Sequence, residues 1–254
     1  MFRGIYNILV VFSFMLAVFL HGLALDLLVK NELRRLNRKI DFLHKVAKLG
    51  TKLIGIRIKE VGGDHNRKAS FIVSNHLSYL DIIIISSLYR SVFVSTTEVG
   101  SSKFFGKLAS YGGAIFIDRT KRTALKEDIQ KVKDVIEKDT NVAIFLEGTT
   151  SNGDGVLPFK SSFLEVVFKT GKPVFGLCLK YTAFNSKPVD QEVREFIYYY
   201  GDHVLLPHVL RFLYHLKSLE VEVKEVGFFS PENYQSRKEL ATELYNRIST
   251  VYAS

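Results

Sequence analysis

Ser74-Asn75-His76-Leu77-Ser78-Tyr79-Leu80-Asp81 places an imidazole and a carboxylate five residues apart, directly after the apolar run Phe71-Ile72-Val73. That separation is awkward on one continuous helix, but a turn entering a helix brings the carboxylate back to the ring. An aspartate so placed fixes the imidazole tautomer and supports it as a general base near neutral pH. The other reading of the same residues is a capping aspartate beside a surface histidine. The chain has no G-x-S-x-G turn, so a base that activates a substrate hydroxyl fits better than a covalent serine.

Three further stretches carry polar chemistry at the ends of apolar runs, where α/β proteins place ligands. In Phe145-Leu146-Glu147-Gly148-Thr149-Thr150-Ser151-Asn152-Gly153, Gly148 and Gly153 permit close backbone approach. The hydroxyls, Thr149 among them, and the amides can hold a polar headgroup, and Glu147 could bind substrate hydroxyls; an ordinary glycine-containing loop is the alternative. Gly112-Gly113-Ala114-Ile115-Phe116-Ile117-Asp118-Arg119 ends in an acid and an arginine. Arginine suits bidentate phosphate binding, although Asp118–Arg119 also reads as a surface pair. In Pro158-Phe159-Lys160-Ser161-Ser162-Phe163, a turn opens a helix, so Lys160 either holds a phosphate or stands beside a simple cap.

Recurring β-rich runs must position these groups: 53–59, 70–74, 92–95, 114–118, 142–146, 173–180, 196–200 and 219–226. Helical patterns lie between most of them, at 80–89, 103–110, 123–138, 161–170, 205–216 and 237–251. The clearest is 123–138, with Leu125, Ile129, Val132 and Ile136 on one side. Strands alternating with helices predict an α/β body, a mixed and largely parallel sheet covered by helices. The alternation of Val221, Val223 and Val226 with Glu220, Glu222 and Lys224 reads as a half-exposed strand at a sheet edge.

Residues 1–50 read differently from the body at 51–254, which forms one domain without internal repeats. From Ile5 to Val29 there is no Lys or Arg, and apart from Asn7, Ser13, His21, Gly22 and Asp26 the run is apolar. It is just long enough to span a bilayer. We read it as a retained anchor or deeply embedded helix in preference to a cleaved signal peptide or a buried core helix. After it, Leu33, Leu36, Ile40, Leu43, Val46 (or Ala47) and Leu49 recur at a helical period. Cations fill the space between, Arg34, Arg35, Arg38 and Lys39 coming first. Such a helix suits the headgroup plane of anionic lipid, or packs on a core with a solvated basic face.

Charge supports the membrane reading. The 254 residues carry a net +9, of which +8 lies between Lys30 and Lys68. No nucleic-acid recognition motif accompanies that segment, so nucleic acid is not expected as a partner. The positive-inside rule puts the body on the cytoplasmic side of the inner (plasma) membrane. Cys178 is the single cysteine, which rules out an internal disulfide and a cysteine-based zinc site. Within its apolar run it reads as a buried small hydrophobe. His203, His208 and His215 are spaced five and seven apart, unlike a metal clip. Tyr198-Tyr199-Tyr200 reads as packed strand aromatics, with a lipid groove as the alternative.

Taken together, the four stretches resemble the glycerolipid acyltransferase family, best known for the 1-acylglycerol-3-phosphate acyltransferases. Its N-H-x4-D block is matched by Asn75, His76 and Asp81. The glycine and I-D-R block is matched by Gly113, Ile117, Asp118 and Arg119. The F-P-E-G-T-x-S block is matched by Phe145, Glu147, Gly148, Thr149 and Ser151, and P-F-K by Pro158, Phe159 and Lys160. Pro173-Val174-Phe175-Gly176-Leu177 is similar to the fourth block, an apolar strand opened by proline. Order and spacing agree across residues 53–180, and residues 1–50 resemble the membrane-associated helix pair of bacterial members.

The resemblance implies transfer of a fatty acyl group from a thioester of coenzyme A or acyl carrier protein to a lysophospholipid hydroxyl, in phospholipid biosynthesis. It implies His76 as base supported by Asp81, with Asn75, Arg119, Glu147, Gly148, Thr149 and Lys160 as substrate-binding residues. It calls for no metal and no redox cofactor, because the thioester already carries the activation. Leu146 stands where proline is usual, Thr150 where phosphatidate-forming members have arginine, and Thr96-Thr97-Glu98 where lysine-x-glutamate is frequent. Lys103 is the nearest replacement cation. The implied acceptor is 1-acyl-sn-glycerol-3-phosphate; another lysolipid headgroup, or non-catalytic lipid binding, is the alternative.

Overall fold

A computed structural model describes residues 2–62, 70–102, 104–117 and 124–254. Asp118, Arg119 and Lys103 lie outside the described residues. Two long helices open the chain, α1 (Phe2–Leu28) and α2 (Glu32–Ile54). The strands are β1 (Ile56–Val61), β2 (Phe71–Ser74), β3 (Ser91–Thr96), β4 (Ile115–Ile117), β5 (Asn141–Ile144), β6 (Val174–Phe184), β7 (Lys187–Pro188) and β8 (Leu219–Phe229). The body helices are α3 (Leu80–Leu88), α4 (Thr97–Ser101), α5 (Phe105–Tyr111), α6 (Ala124–Ile136), α7 (Glu165–Thr170), α8 (Gln191–Ile197), α9 (Leu205–His215) and α10 (Arg237–Ala253).

The sheet runs β1-β8-β6-β2-β5-β3-β4, with β7 paired to β6. Neighbours are parallel except where β6 meets β8 and β7. It is therefore the mixed, mostly parallel sheet expected. The central strands β2 and β5 are buried at every position, as strands covered on both faces must be. Alternate residues separate the two sides. Ile72 joins the core made with Ile84 and Ile85 of α3 and Phe212 of α9. Phe71 and Val73 join Ile129 and Val132 of α6, Val167 of α7 and Leu240 and Leu244 of α10.

Two expectations are corrected. The stretch 196–200 is not a strand. Asp190 caps α8 by accepting the Val193 amide at 2.8 Å, and the helix takes up residues through Ile197. Tyr198–Tyr200 then run extended outside the sheet, and strand propensity without a pairing partner does not make a strand. β8 is not an edge, because β1 covers its outer side in parallel register, Ile56 opposite Leu219 through Val61 opposite Lys224. The alternation of β8 is real; its Glu222 faces Lys59 and Lys224 at 3.0 and 3.1 Å.

The first strand begins later than the sequence suggests because α2 continues to Ile54. Asn31 caps its start through the Arg34 amide, and Gly55, at φ 86°, ends it in the left-handed region where a side chain is disfavoured. α1 is fastened along its whole length. Near its start, Asn7 is fully buried and donates to the carbonyls of Leu213 and Leu216 at 3.0 and 2.7 Å, capping the end of α9. Near its end, Asp26 pairs with Lys39 of α2 at 2.7 Å and with Arg35 at 3.5 Å. At Gly22 an added Cβ would stand 2.3 Å from the Tyr111 side chain, so glycine permits the contact with α5.

Candidate active site

The site forms where β2 and β5 end, against the middle of β6. β2 pairs with β6 as far as Ser74 opposite Leu177, and β6 continues. Asn75 completes the ladder with its side chain. Its Nδ2 donates to the Leu179 carbonyl at 2.9 Å, and its Oδ1 accepts the Leu179 amide at 2.8 Å. Buried main-chain groups need such partners. Asn75 is itself buried, so here it anchors the turn to the sheet.

The chain then turns through His76 into α3, and Asp81 sits in that helix's first turn. Asp81 Oδ2 accepts the amides of Leu77 and Ser78 at 2.6 and 2.9 Å, and lies 2.8 Å from His76 Nδ1. Both readings of the aspartate are thus realised at once: it caps the turn and it holds the ring. Its Oδ1 accepts the Tyr181 hydroxyl at 2.6 Å, and Asp81 has 0% exposure. A carboxylate partner assigns the proton to His76 Nδ1 and leaves Nε2 with its lone pair. The imidazole stacks on Phe145, with centroids 3.8 Å apart and planes 6° from parallel, and the side chain stays 16% exposed.

The loop after β5 grips the same turn. Glu147 Oε1 accepts the His76 amide at 2.6 Å, and Oε2 accepts the Leu157 amide at 2.8 Å. The Ser151 amide donates to the His76 carbonyl at 2.9 Å. Glu147, expected to meet substrate hydroxyls, here organises two stretches of main chain. It is 3% exposed; burial pushes its carboxyl up to about 7, against the opposing pull of the two amides, and Asp81 adds to the rise. Gly148 and Gly153 hold the tight path at φ 78° and 80°.

Asn75, His76, Asp81, Glu147 and Gly148 therefore share one loop cluster. Thr149 is exposed on its rim. Lys160 returns its amide to the Leu146 carbonyl at 2.8 Å while its side chain is exposed. Two contributors escaped the sequence reading. Tyr181 belongs to β6, and its pattern there is that of any apolar strand. Tyr199 donates its amide to the Leu77 carbonyl at 3.0 Å and so closes the turn from the far side. Nearby, His208 Nδ1 meets the Tyr79 hydroxyl at 3.1 Å, and His215 Nδ1 lies 2.9 Å from the Arg211 carbonyl. Cys178 is buried, and burial pushes its thiol up to about 12.

A buried carboxylate, an imidazole with one nitrogen committed, and a glycine-bearing loop tied to the main chain of the same histidine form an arrangement that can do general-base chemistry. A family model described as Acyltransferase matches residues 30–180. The lyso-ornithine lipid O-acyltransferase of Brucella abortus (strain 2308) is 28% identical over 239 residues, covering 91% of this chain and 86% of that protein. The 1-acyl-sn-glycerol-3-phosphate acyltransferase of Neisseria gonorrhoeae is 28% identical over 217 residues, 85% of this chain and 82% of that one. The crystal structure of the 1-acyl-sn-glycerophosphate acyltransferase PlsC from Thermotoga maritima shares the fold. Its TM-score is 0.70 at 18% identity, over 99% of this chain and 94% of that one.

Proposed function

The chain belongs to the Acyltransferase family, and we propose that it moves a fatty acyl group from an acyl thioester to the free hydroxyl of a lysolipid at an anionic membrane surface. The observation that carries this reading is the 2.8 Å approach of His76 Nδ1 to a fully buried Asp81. With Nδ1 occupied, Nε2 takes the acceptor's hydroxyl proton as its oxygen attacks the thioester carbonyl carbon. The C–S bond then breaks, and the departing thiolate recovers the proton from the imidazolium. Asp81 stabilises the imidazolium between these events. The thioester of coenzyme A or of acyl carrier protein supplies the driving force, so the reaction needs no metal or redox group.

The first acceptor in this reading is 1-acyl-sn-glycerol-3-phosphate, with Arg119 and Lys160 as phosphate ligands and Thr149 at the headgroup. Lyso-ornithine lipid is the second. It is favoured by Thr150 in the position of a phosphate-binding arginine, and by the name of the Brucella relative.

Residues 1–50 serve in this reading as the membrane-facing element and 51–254 as the catalytic body. Phe2, Ile5, Leu9, Phe12, Leu16, Leu20, Leu23 and Leu27 are exposed and form one stripe along α1. Because the opposite side of α1 is fastened to the body from Asn7 to Asp26, the helix lies lengthwise in one leaflet. On α2 the exposed cations Arg34, Arg38, Lys45, Lys48 and Lys52 suit anionic headgroups. The positive-inside rule supports a cytoplasmic face of the inner membrane.

The test is product analysis by mass spectrometry. Purified full-length protein is given acyl-coenzyme A or acyl carrier protein thioesters with a lysolipid panel containing both acceptors. Acylated product is expected, and His76→Ala should lower turnover about a thousandfold with the fold intact by circular dichroism. Absence of product from every pair, or full activity in His76→Ala, overturns the reading.

A further inference from the structure

We propose that Tyr181 is a positioning residue for the His76–Asp81 pair, acting through the carboxylate oxygen that faces away from the imidazole. The proposal rests on the general-base reading above and adds a third member from β6, four residues beyond the end of the fourth sequence block.

Asp81 is fully buried, and a carboxylate withdrawn from water is tolerated when hydrogen bonds replace its hydration. Its two oxygens are served unequally. Oδ2 receives the amides of Leu77 and Ser78 together with His76 Nδ1. Oδ1 receives the Tyr181 hydroxyl at 2.6 Å, the short separation typical of a hydroxyl donating to an ionised oxygen. The three Oδ2 donors all belong to the turn that Asp81 itself caps, so they move with it. Tyr181 sits on β6 and is itself buried. Among the described residues, its bond references the carboxylate plane to the sheet. Burial and the neighbouring Asp81 charge push the phenol well above its ordinary value, so it keeps its proton and acts as a donor throughout the working pH range.

Tyr181 also stands at a boundary. With Lys180, Arg194, Tyr198 and Tyr252 it lines a cavity of about 430 Å³, which Asp81 does not line. The phenol separates the carboxylate from that space. Other ionisable groups acting on Asp81 or Tyr181 are Glu147 in the loop after β5, and the phenols of Tyr79, Tyr198 and Tyr252. Of these groups and His76, Tyr181 is the one given a hydrogen bond to Oδ1.

Removing the hydroxyl has a defined electrostatic consequence. With Oδ1 bare, the carboxylate becomes more basic and stabilises the imidazolium more strongly, so neutral His76 is reached at higher pH. Tyr181→Phe in the full chain should lower kcat about tenfold with little change in KM, and should move the rising limb of the pH profile of kcat/KM upward. An NMR titration of the His76 imidazole should rise in the same variant. Tyr198→Phe, which alters the same cavity and the ring beside Tyr181 but does not touch Asp81, should leave both profile and titration at wild-type values. Should Tyr181→Phe fold poorly, 3-fluorotyrosine at 181 supplies a more acidic donor, and both readouts should fall. Wild-type kcat and profile in Tyr181→Phe, an unmoved His76 titration, or equal shifts in both phenylalanine variants overturn the proposal. The titration is read without substrate. A wild type that acylates nothing therefore sinks the functional reading separately from the Tyr181 relationship.

Discussion

Glu147 accepts the main-chain N–H of His76 at 2.6 Å, so the acid of one loop fixes the main chain of the histidine on another. Burial holds that carboxyl at about 7, above its ordinary 4.5. A folded-state value above the unfolded one means that the native protein binds the extra proton between them. This contribution to stability is full at the acid end and is lost as pH rises through about 7. Urea unfolding should show wild type losing about 2 to 3 kcal/mol more than Glu147→Gln between pH 5 and pH 8. Parallel curves for the two proteins would show that burial does not raise this group. The glutamine also leaves one of the two amides without a good acceptor, so its turnover should be reduced.

Asp81 and His76 differ in what they hold up. Asp81→Ala strands the Leu77 and Ser78 amides and the Tyr181 hydroxyl in a dry interior, which should cost about 3 to 5 kcal/mol in stability. His76→Ala removes a partly exposed ring and should cost about 1 kcal/mol or less by the same measure. Both should lose turnover. Chemical denaturation beside activity separates them, and equal stability losses would contradict the assigned hydrogen bonds.

The basic face of α2 divides into two sets. Arg34, Arg38, Lys45, Lys48 and Lys52 are exposed, whereas Lys39 and Arg35 pair with Asp26 of α1. Replacing the exposed five by glutamate should weaken co-sedimentation with phosphatidylglycerol vesicles at least tenfold, at about 1 kcal/mol per cation near the surface. It should also abolish the salt dependence of binding. Lys39→Ala should instead lower the melting temperature and leave vesicle binding nearly unchanged. Unaltered binding in the five-fold variant would remove these residues from the membrane reading.

Gly22 sets how closely α1 approaches α5. A Cβ there would lie 2.3 Å from Tyr111, so Gly22→Ala should destabilise the protein by about 1 to 3 kcal/mol through overpacking. Thermal unfolding reads this directly, and a melting temperature at or above wild type would mean that α1 sits farther out.

The layered α/β body was readable because burial leaves a periodic trace. Ile129, Val132 and Ile136 announce α6, and Phe71-Ile72-Val73 announces a strand covered on both faces. Residues 196–200 misled because Ile-Tyr-Tyr-Tyr has strand propensity, while the deciding signal is the cap at Asp190, six positions before that run begins. The edge assignment of β8 failed for a different reason: Glu222 is polar because Lys59 faces it from β1, a pairing no local pattern carries. Arg35 and Lys39 looked like lipid-facing cations until α1 was seen to bring Asp26 beside them. His76 and Asp81 declared themselves by residue type and spacing. Tyr181, a hundred residues on, gave no sign, since a phenol inside an apolar strand looks like core until its hydroxyl's acceptor is known.

The main chain of His76 is held on both sides, its N–H by Glu147 and its C=O by the Ser151 amide. Between those two anchors lie Gly148, Thr149 and Thr150, whose side-chain positions bear none of that hold. Exchange of either threonine for a larger or charged residue alters the rim without displacing His76. Insertion or deletion within the same span would change the distance between the anchors and move His76 itself. A designer seeking to alter the rim would therefore substitute at Thr149 and Thr150 and leave the residue count alone.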